Sequence, residues 1–234
     1  MLTIHTLTYN EELMIEFFVN HYRKLFPNCI IKIYDNYSTD NTVNIAKKLG
    51  CEVFYYDSNN NLSDSKFLEI KNNCWKNSNT DWVIVCDCDE LIQINKEELI
   101  NEYNNGTTIF KFKGYHIMNT DNELNLNNLS FGFPDTMYDK ILLFNKSKIT
   151  DINYDPGCHS ASPKGIVKFS KNTYNLLHYK YLGVNYTIGR YKMFAERLSD
   201  ENLNRGWSIH YLTKENEIVE YYEKNKTSLI KVKN

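Results

Sequence analysis

The strongest chemical signal in the chain is Trp82-Val83-Ile84-Val85-Cys86-Asp87-Cys88-Asp89-Glu90. An apolar run suited to a buried strand stops at three carboxylates. An unpaired charge inside a strand is costly, but the C-terminal edge of a strand is where open α/β sheets bind ligands. Side chains alternate across extended backbone. The spacing therefore predicts Asp87 and Asp89 on one side, with Cys86 and Cys88 on the other. Two carboxylates on one side suit a hard divalent cation, and that cation can hold a diphosphate. The spacing is not that of an EF-hand loop, which needs a Gly at its sixth position. Cys86 and Cys88 aim away from the acids and lack a second thiol pair, which argues against zinc.

Other segments can join such a site. Thr8-Tyr9-Asn10-Glu11-Glu12 lies where a first strand meets a first helix. It reads either as a helix start, with Asn10 as cap and acids in the first turn, or as a turn set against a nucleotide. Asp35-Asn36-Tyr37-Ser38-Thr39-Asp40-Asn41-Thr42 follows a second strand. A cap needs only one or two such residues, whereas here nearly every position can donate or accept a hydrogen bond. Leu176-Leu177-His178-Tyr179-Lys180 holds a His of the kind ordinarily satisfied in a core, followed by a Lys suited to a phosphate. Pro156-Gly157-Cys158-His159 supplies a second, turn-borne His.

The elements that must position these residues alternate through the first half. Strands are expected at Leu2–Tyr9, Ile30–Tyr34, Cys51–Tyr56 and Trp82–Cys86. Helices are expected over Glu12–Leu25, Thr42–Leu49 (stopped by Gly50) and Asp64–Lys76, from apolar spacing and capping residues. That alternation implies a mostly parallel sheet with right-handed crossovers. The second half is less regular. It reads as a helix at Lys96–Tyr103, strands at Thr107–Tyr115, Lys140–Asn145 and Tyr174–Tyr179, and helices at Val184–Leu198 and Ile218–Asn225. Residues 116–138 form a long polar segment, and a loop that long is more often functional than idle. No repeat or linker divides the chain. A single domain is expected, with a regular half at 1–105, a less regular half at 106–198 and a C-terminal extension at 199–234.

With 27 basic and 29 acidic residues the net charge is −2, so there is no basic footprint for nucleic acid. A phosphate ligand must be held locally. No run reaches the ~20 apolar residues of a membrane span, and the N-terminus lacks the pattern of a signal peptide. The six cysteines include no CxxC pair, which fits reduced thiols. A soluble cytoplasmic protein is expected.

Together these segments resemble the GT-A glycosyltransferases, in particular the branch of glycosyltransferase family 2 common in bacteria and large viruses. The resemblance runs in order from Leu2 to about Leu198. Asn10-Glu11 is similar to that branch's Asn-Glu. Asp35–Thr42 is similar to its Asp-Asn-Gly-Ser-Thr-Asp-Gly-Thr, with Tyr37 and Asn41 in place of glycines. Asp87-Cys88-Asp89-Glu90 is similar to its Asp-x-Asp-Glu, and Asp139-Lys140-Ile141-Leu142 is a weaker match. The resemblance implies an α/β GT-A fold, Rossmann-like and mostly parallel, with an irregular acceptor side. It implies a nucleotide-sugar donor, with UDP first, a glycan or other hydroxyl acceptor, and Mn²⁺ or Mg²⁺. It makes 1–105 the nucleotide-sugar-binding half, 106–198 the acceptor and metal-completing half, and 116–138 a candidate acceptor-binding lid. A viral source would place the protein in host cytoplasm or the virion.

For the residues, the resemblance places Asp35 near the base and Glu11 near the ribose. Thr8, Asn10, Asn36, Ser38 and Lys66 are further donor contacts, and Lys180 lies near the diphosphate. Asp87 and Asp89 bind ribose and metal, and His178 completes the metal shell, with His159 as the alternative. An inverting enzyme needs a carboxylate base. Asp139, Asp135 and Asp155 are candidates, and Glu90 either meets the acceptor or orients its loop. One rival is a haloacid-dehalogenase-type phosphatase, which also sets Asp-x-Asp after an apolar strand but near the chain start. Another is a non-catalytic module that binds nucleotide or glycan.

Overall fold

The computed structural model describes residues 2–121 and 123–233. The first half follows the expected alternation: β1 (Leu2–Thr8), α1 (Ile15–Leu25), β2 (Ile30–Asp35), α2 (Thr42–Lys48), β3 (Glu52–Tyr55), α3 (Asp64–Asn73) and β4 (Trp82–Asp87). β1 is flanked in parallel by β2 and β4, and β3 follows β2. All seven β1 residues are buried. α1 turns Ile15, Phe18, Val19 and Tyr22 onto the sheet, each such side chain contributing about 1.5–3 kcal/mol by burial.

The second half adds β5 (Glu90–Gln93), α4 (Lys96–Asn104), β6 (Ile109–Met118), β7 (Phe131–Pro134), β8 (Leu143–Asn145), β9 (Ile149–Asp151), β10 (Lys164–Gly165), β11 (Phe169–Tyr181), α5 (Val184–Ala195), α6 (Asp200–Arg205), α7 (Glu215–Asn225) and β12 (Ile230–Lys231). Antiparallel β8 continues the sheet beyond β4, so the sheet is parallel at its core and mixed at its far side. β11 runs along β6 in parallel and pairs antiparallel with β5. In that register His178 lies opposite both Glu90 and His116, and the Tyr179 amide donates to the Asp89 carbonyl at 2.8 Å.

Several expectations change. α1 starts at Ile15 because Asn10 takes a left-handed conformation (φ 52°). Its side chain reaches the Thr39 amide at 2.8 Å instead of capping the helix. Extended backbone ends at Asp87, and Cys88-Asp89 turns the chain into β5, so strict alternation does not carry through to Asp89. Asp87 and Asp89 nevertheless line the same cleft, while Cys86 and Cys88 are buried. The 116–138 segment is not one long loop. It contains the end of β6, all of β7 and a 3-10 turn at Thr136–Tyr138. Among the described residues of that segment, only Tyr138 lines the cleft.

Residues 199–233 pack onto the rest of the fold. β12 pairs with β7, and Ile218 and Tyr222 of α7 share a core with Met118, Phe133, Tyr181 and Tyr191. Among the described residues no helix is long and apolar enough to cross a membrane.

Candidate active site

The C-terminal ends of β1 and β4 open into a cleft of about 180 Å³, walled by α3, β11, α5 and the 3-10 turns at Pro156–Cys158 and Ile209–Leu212. Asp87 and Asp89 stand on its floor with four cations around them. Lys71 Nζ lies 2.5 Å from Asp87 Oδ1, and Lys140 Nζ lies 3.7 Å from Oδ2. Burial opposes the ionised Asp87, yet Lys71 and Lys140 hold its carboxyl below the usual carboxylate range. Burial likewise opposes the Lys71 charge, and Asp87, Cys158 and Glu90 together outweigh it. Lys180 lines the cleft, and burial draws its ammonium down to about 8 against the pull of Asp89. Arg190 pairs with Glu11 at 2.5 Å and donates to the Asn10 carbonyl at 2.9 Å.

Asp89 faces His178, with Nε2 3.2 Å from Oδ2. Burial works to raise the Asp89 carboxyl, but His178, Arg190 and Lys140 together hold it low. Glu11 behaves oppositely: burial pushes its carboxyl up to about 7 despite Arg190. Its Oε2 is buried with no hydrogen-bond partner among the described residues, an acceptor left open in the cleft wall.

The nucleotide-side turns form a braced pair. Asp35 is fully buried and takes hydrogen bonds from Thr8 Oγ1 at 2.9 Å, the Ser38 amide at 2.8 Å and Ser38 Oγ at 2.6 Å. The Asn10 amide donates to Ser38 Oγ, and Asn36 bonds Ser58. Tyr37 adopts φ 53° where the resembled motif has Gly, a conformation that costs a non-glycine residue about 1–2 kcal/mol. Its ring stacks on Tyr55. Of these candidates Thr8 and Glu11 line the cleft, while Asn10, Asp35, Asn36 and Ser38 lie behind it.

The remaining candidates divide. His178, His159 and Lys180 line the cleft. Tyr138 contacts both imidazoles, stacking on His178 at 4.2 Å and meeting His159 edge-on at 5.0 Å. His159 Nδ1 donates to the Met137 carbonyl at 2.7 Å, which leaves Nε2 as an acceptor. Gly157 (φ 76°) has no Cβ to press on the His159 ring. Glu90 is fully buried, taking Lys140 on Oε1 at 2.6 Å and the Asp87 amide on Oε2 at 3.0 Å. It thus orients the acidic turn from behind. Asp139 accepts from the Gly114 amide, Asp135 from His116 and Asp155 from Ser160, and none of the three lines the cleft. Lys66 lies on the solvent face of α3 and pairs with Glu69 at 2.8 Å. The lysine that enters the site is Lys71, five residues further along the same helix.

The donor set can be tested against a divalent cation. Among the described residues no three His, Cys, Asp or Glu side chains converge into a complete cage. Asp87 is already matched by two lysines. Asp89 Oδ2 and His178 Nε2 present two ligand atoms side by side in the cleft, which fits a cation that keeps its other positions for water and phosphate oxygens.

The profile described as "Glycosyl transferase family 2" matches residues 3–167. The chain belongs to this family. No curated protein matches it significantly. Among solved structures, this family-2 chain is similar to S. aureus TarS 1-349 in complex with UDP, at 13% identity and TM-score 0.50, over 97% of this chain and 72% of that one. S. aureus TarS gives 14% identity and TM-score 0.50, over 93% of this chain and 41% of that one. Against another S. aureus TarS 1-349 structure, this chain spans 62% of the length. At such identities the likeness concerns the fold, which is GT-A with a mostly parallel central sheet. Family membership sets aside the phosphatase alternative.

Sequence reasoning missed Lys71, Lys140, Arg190 and Tyr138. Lys140 stood beside Asp139 in a segment already noted. Arg190 had no local signal, since it reaches Glu11 across 179 positions.

Proposed function

We propose that the chain transfers a sugar from a nucleotide-sugar to an acceptor hydroxyl, with a divalent cation held by Asp89 and His178. The observation that carries this reading is the convergence of Lys71, Lys140, Lys180 and Arg190 on the Asp87–Asp89 floor of one cleft. Such a set matches a diphosphate and a hard cation together. UDP is the first nucleotide to test because the TarS 1-349 structure of the same fold contains it.

The open Glu11 Oε2 suits a ribose hydroxyl. Lys180 and Arg190 suit the diphosphate oxygens, and their positive charge favours the leaving group as the glycosidic bond breaks. When bound, the divalent cation would supply further neutralisation of the departing diphosphate. The acceptor enters over Tyr138, Tyr211 and His159. In the tautomer fixed by Met137, His159 Nε2 is free to take the acceptor proton.

A thermal-shift screen of UDP-, GDP-, CMP- and dTDP-sugars, with and without Mn²⁺, tests the reading. One nucleotide class should raise the midpoint by mass action. No shift with any of them overturns it. Binding without sugar release on any acceptor or water would instead indicate a non-catalytic binding module.

A further inference from the structure

Four side chains form one line from the turn after β7 to the floor of the cleft. Asp135 Oδ2 lies 2.8 Å from His116 Nε2, His116 Nδ1 lies 3.1 Å from His178 Nδ1, and His178 Nε2 lies 3.2 Å from Asp89 Oδ2. The parallel pairing of β6 with β11 sets the two histidines directly opposite each other. Phe133, Tyr138 and Tyr181 close around His116, which is 2% exposed.

The hydrogen bonds assign the tautomers. A carboxylate only accepts, so His116 Nε2 carries a hydrogen and donates to Asp135. Enclosure by aromatic rings favours the neutral ring, so His116 Nδ1 is an acceptor. The short contact between the two Nδ1 atoms needs one hydrogen, and that hydrogen belongs to His178. In neutral His178 the Nε2 lone pair then faces the Asp89 carboxylate. Two acceptors 3.2 Å apart make a favourable contact only when a proton or a metal cation lies between them, and a divalent cation can take the place of that proton.

We propose that His116 and Asp135 are positioning residues that fix His178 as its Nδ1–H tautomer and so aim Nε2, with Asp89, at a divalent cation. This rests on the metal-dependent reading given above. It is the way a ligating imidazole is ordinarily held, by a partner on its other nitrogen. Tyr138 adds a second constraint, because its ring stacks on His178 at 25° and holds the imidazole plane.

The test uses Mn²⁺ alone, titrated into the full chain without nucleotide and followed by the electron paramagnetic resonance of free Mn²⁺. His116→Phe and Asp135→Ala should weaken Mn²⁺ binding by about 10–100-fold. Asp135→Asn keeps an acceptor for His116 Nε2–H and should stay within about threefold of wild type. Loss of binding in His178→Ala with wild-type binding in His116→Phe and Asp135→Ala would overturn this proposal and leave the metal reading standing. Wild-type binding in His178→Ala, or no binding by the wild type, would overturn both. A second measurement needs no variant: long-range ¹H–¹⁵N spectra of the wild-type imidazoles. They should show His116 protonated on Nε2 alone and His178 protonated on Nδ1. Protonation of His116 on Nδ1 would overturn the assignment even if the variants fail to fold.

Discussion

Lys71 Nζ sits 2.5 Å from Asp87 Oδ1, so the first acid of the Asp-x-Asp segment is matched by a buried cation from α3. Removing the acid strands Lys71 and leaves Lys140 with Glu90 alone. Leaving a buried charge without its partner is destabilising. Asp87 itself is part-exposed, which lets water reach the pair, so Asp87→Ala should lose about 1–3 kcal/mol of stability in urea unfolding. A loss no larger than that of an ordinary surface substitution would show that the pair is not structural.

Turnover should separate Lys140 from Lys66. Lys140→Met removes a charge beside Asp87, and donor-sugar release is expected to fall on the order of 100-fold. Lys66→Ala touches only the exposed pair with Glu69 and should leave the rate within about twofold. Equal effects from both changes would mean that the cleft is not where the diphosphate binds.

Arg190 supports Glu11 from across the cleft. Arg190→Ala leaves both Glu11 oxygens without a protein partner, because Oε2 already has none. Calorimetry should show nucleotide affinity weakened about tenfold or more. Unchanged affinity would place the nucleotide elsewhere.

The carboxyls predict the acid response. Asp87 and Asp89 are held below the usual range in the folded protein. The folded state thus resists taking up protons that the unfolded chain binds, and stability falls as pH drops. Their contribution is complete above the ordinary carboxylate range and is lost as pH falls through the depressed folded values. Glu11, raised to about 7, has the opposite sign and gains stability as pH falls through that value. Urea midpoints between about pH 6 and 3 should therefore drop less for Asp89→Asn than for wild type. Parallel curves would contradict this.

The first half of the fold was legible because short apolar runs alternate with stretches of helical period, although α1 begins three residues later than expected and neither α1 nor α2 has a side-chain cap. The acidic turn was legible for the same reason: three acids ending an apolar run are locally anomalous. β5 was not, since its four residues begin at the last acid and give no periodicity to read. β11 was expected as a short strand and spans 13 residues, because its exposed first part carries polar side chains. Lys71 was hidden by helix phase, and His116 by its place at the start of the 116–138 segment, which reads as polar loop although β6 runs on to Met118. What the sequence left dark was the set of partners that meet only after folding.

The register of β11 against β5 carries a consequence for inheritance. The same ladder that pairs Leu176 with Ile92 and Leu177 with Leu91 delivers His178 to the acidic turn. A one-residue slip would bring Leu177 or Tyr179 there instead and turn the apolar set outward. A single-codon insertion or deletion within 91–93 or 175–177 should thus erase function even where every motif residue survives. Reading frames that keep the letters but alter this count would encode a look-alike, so spacing identifies working copies of this gene as much as composition does.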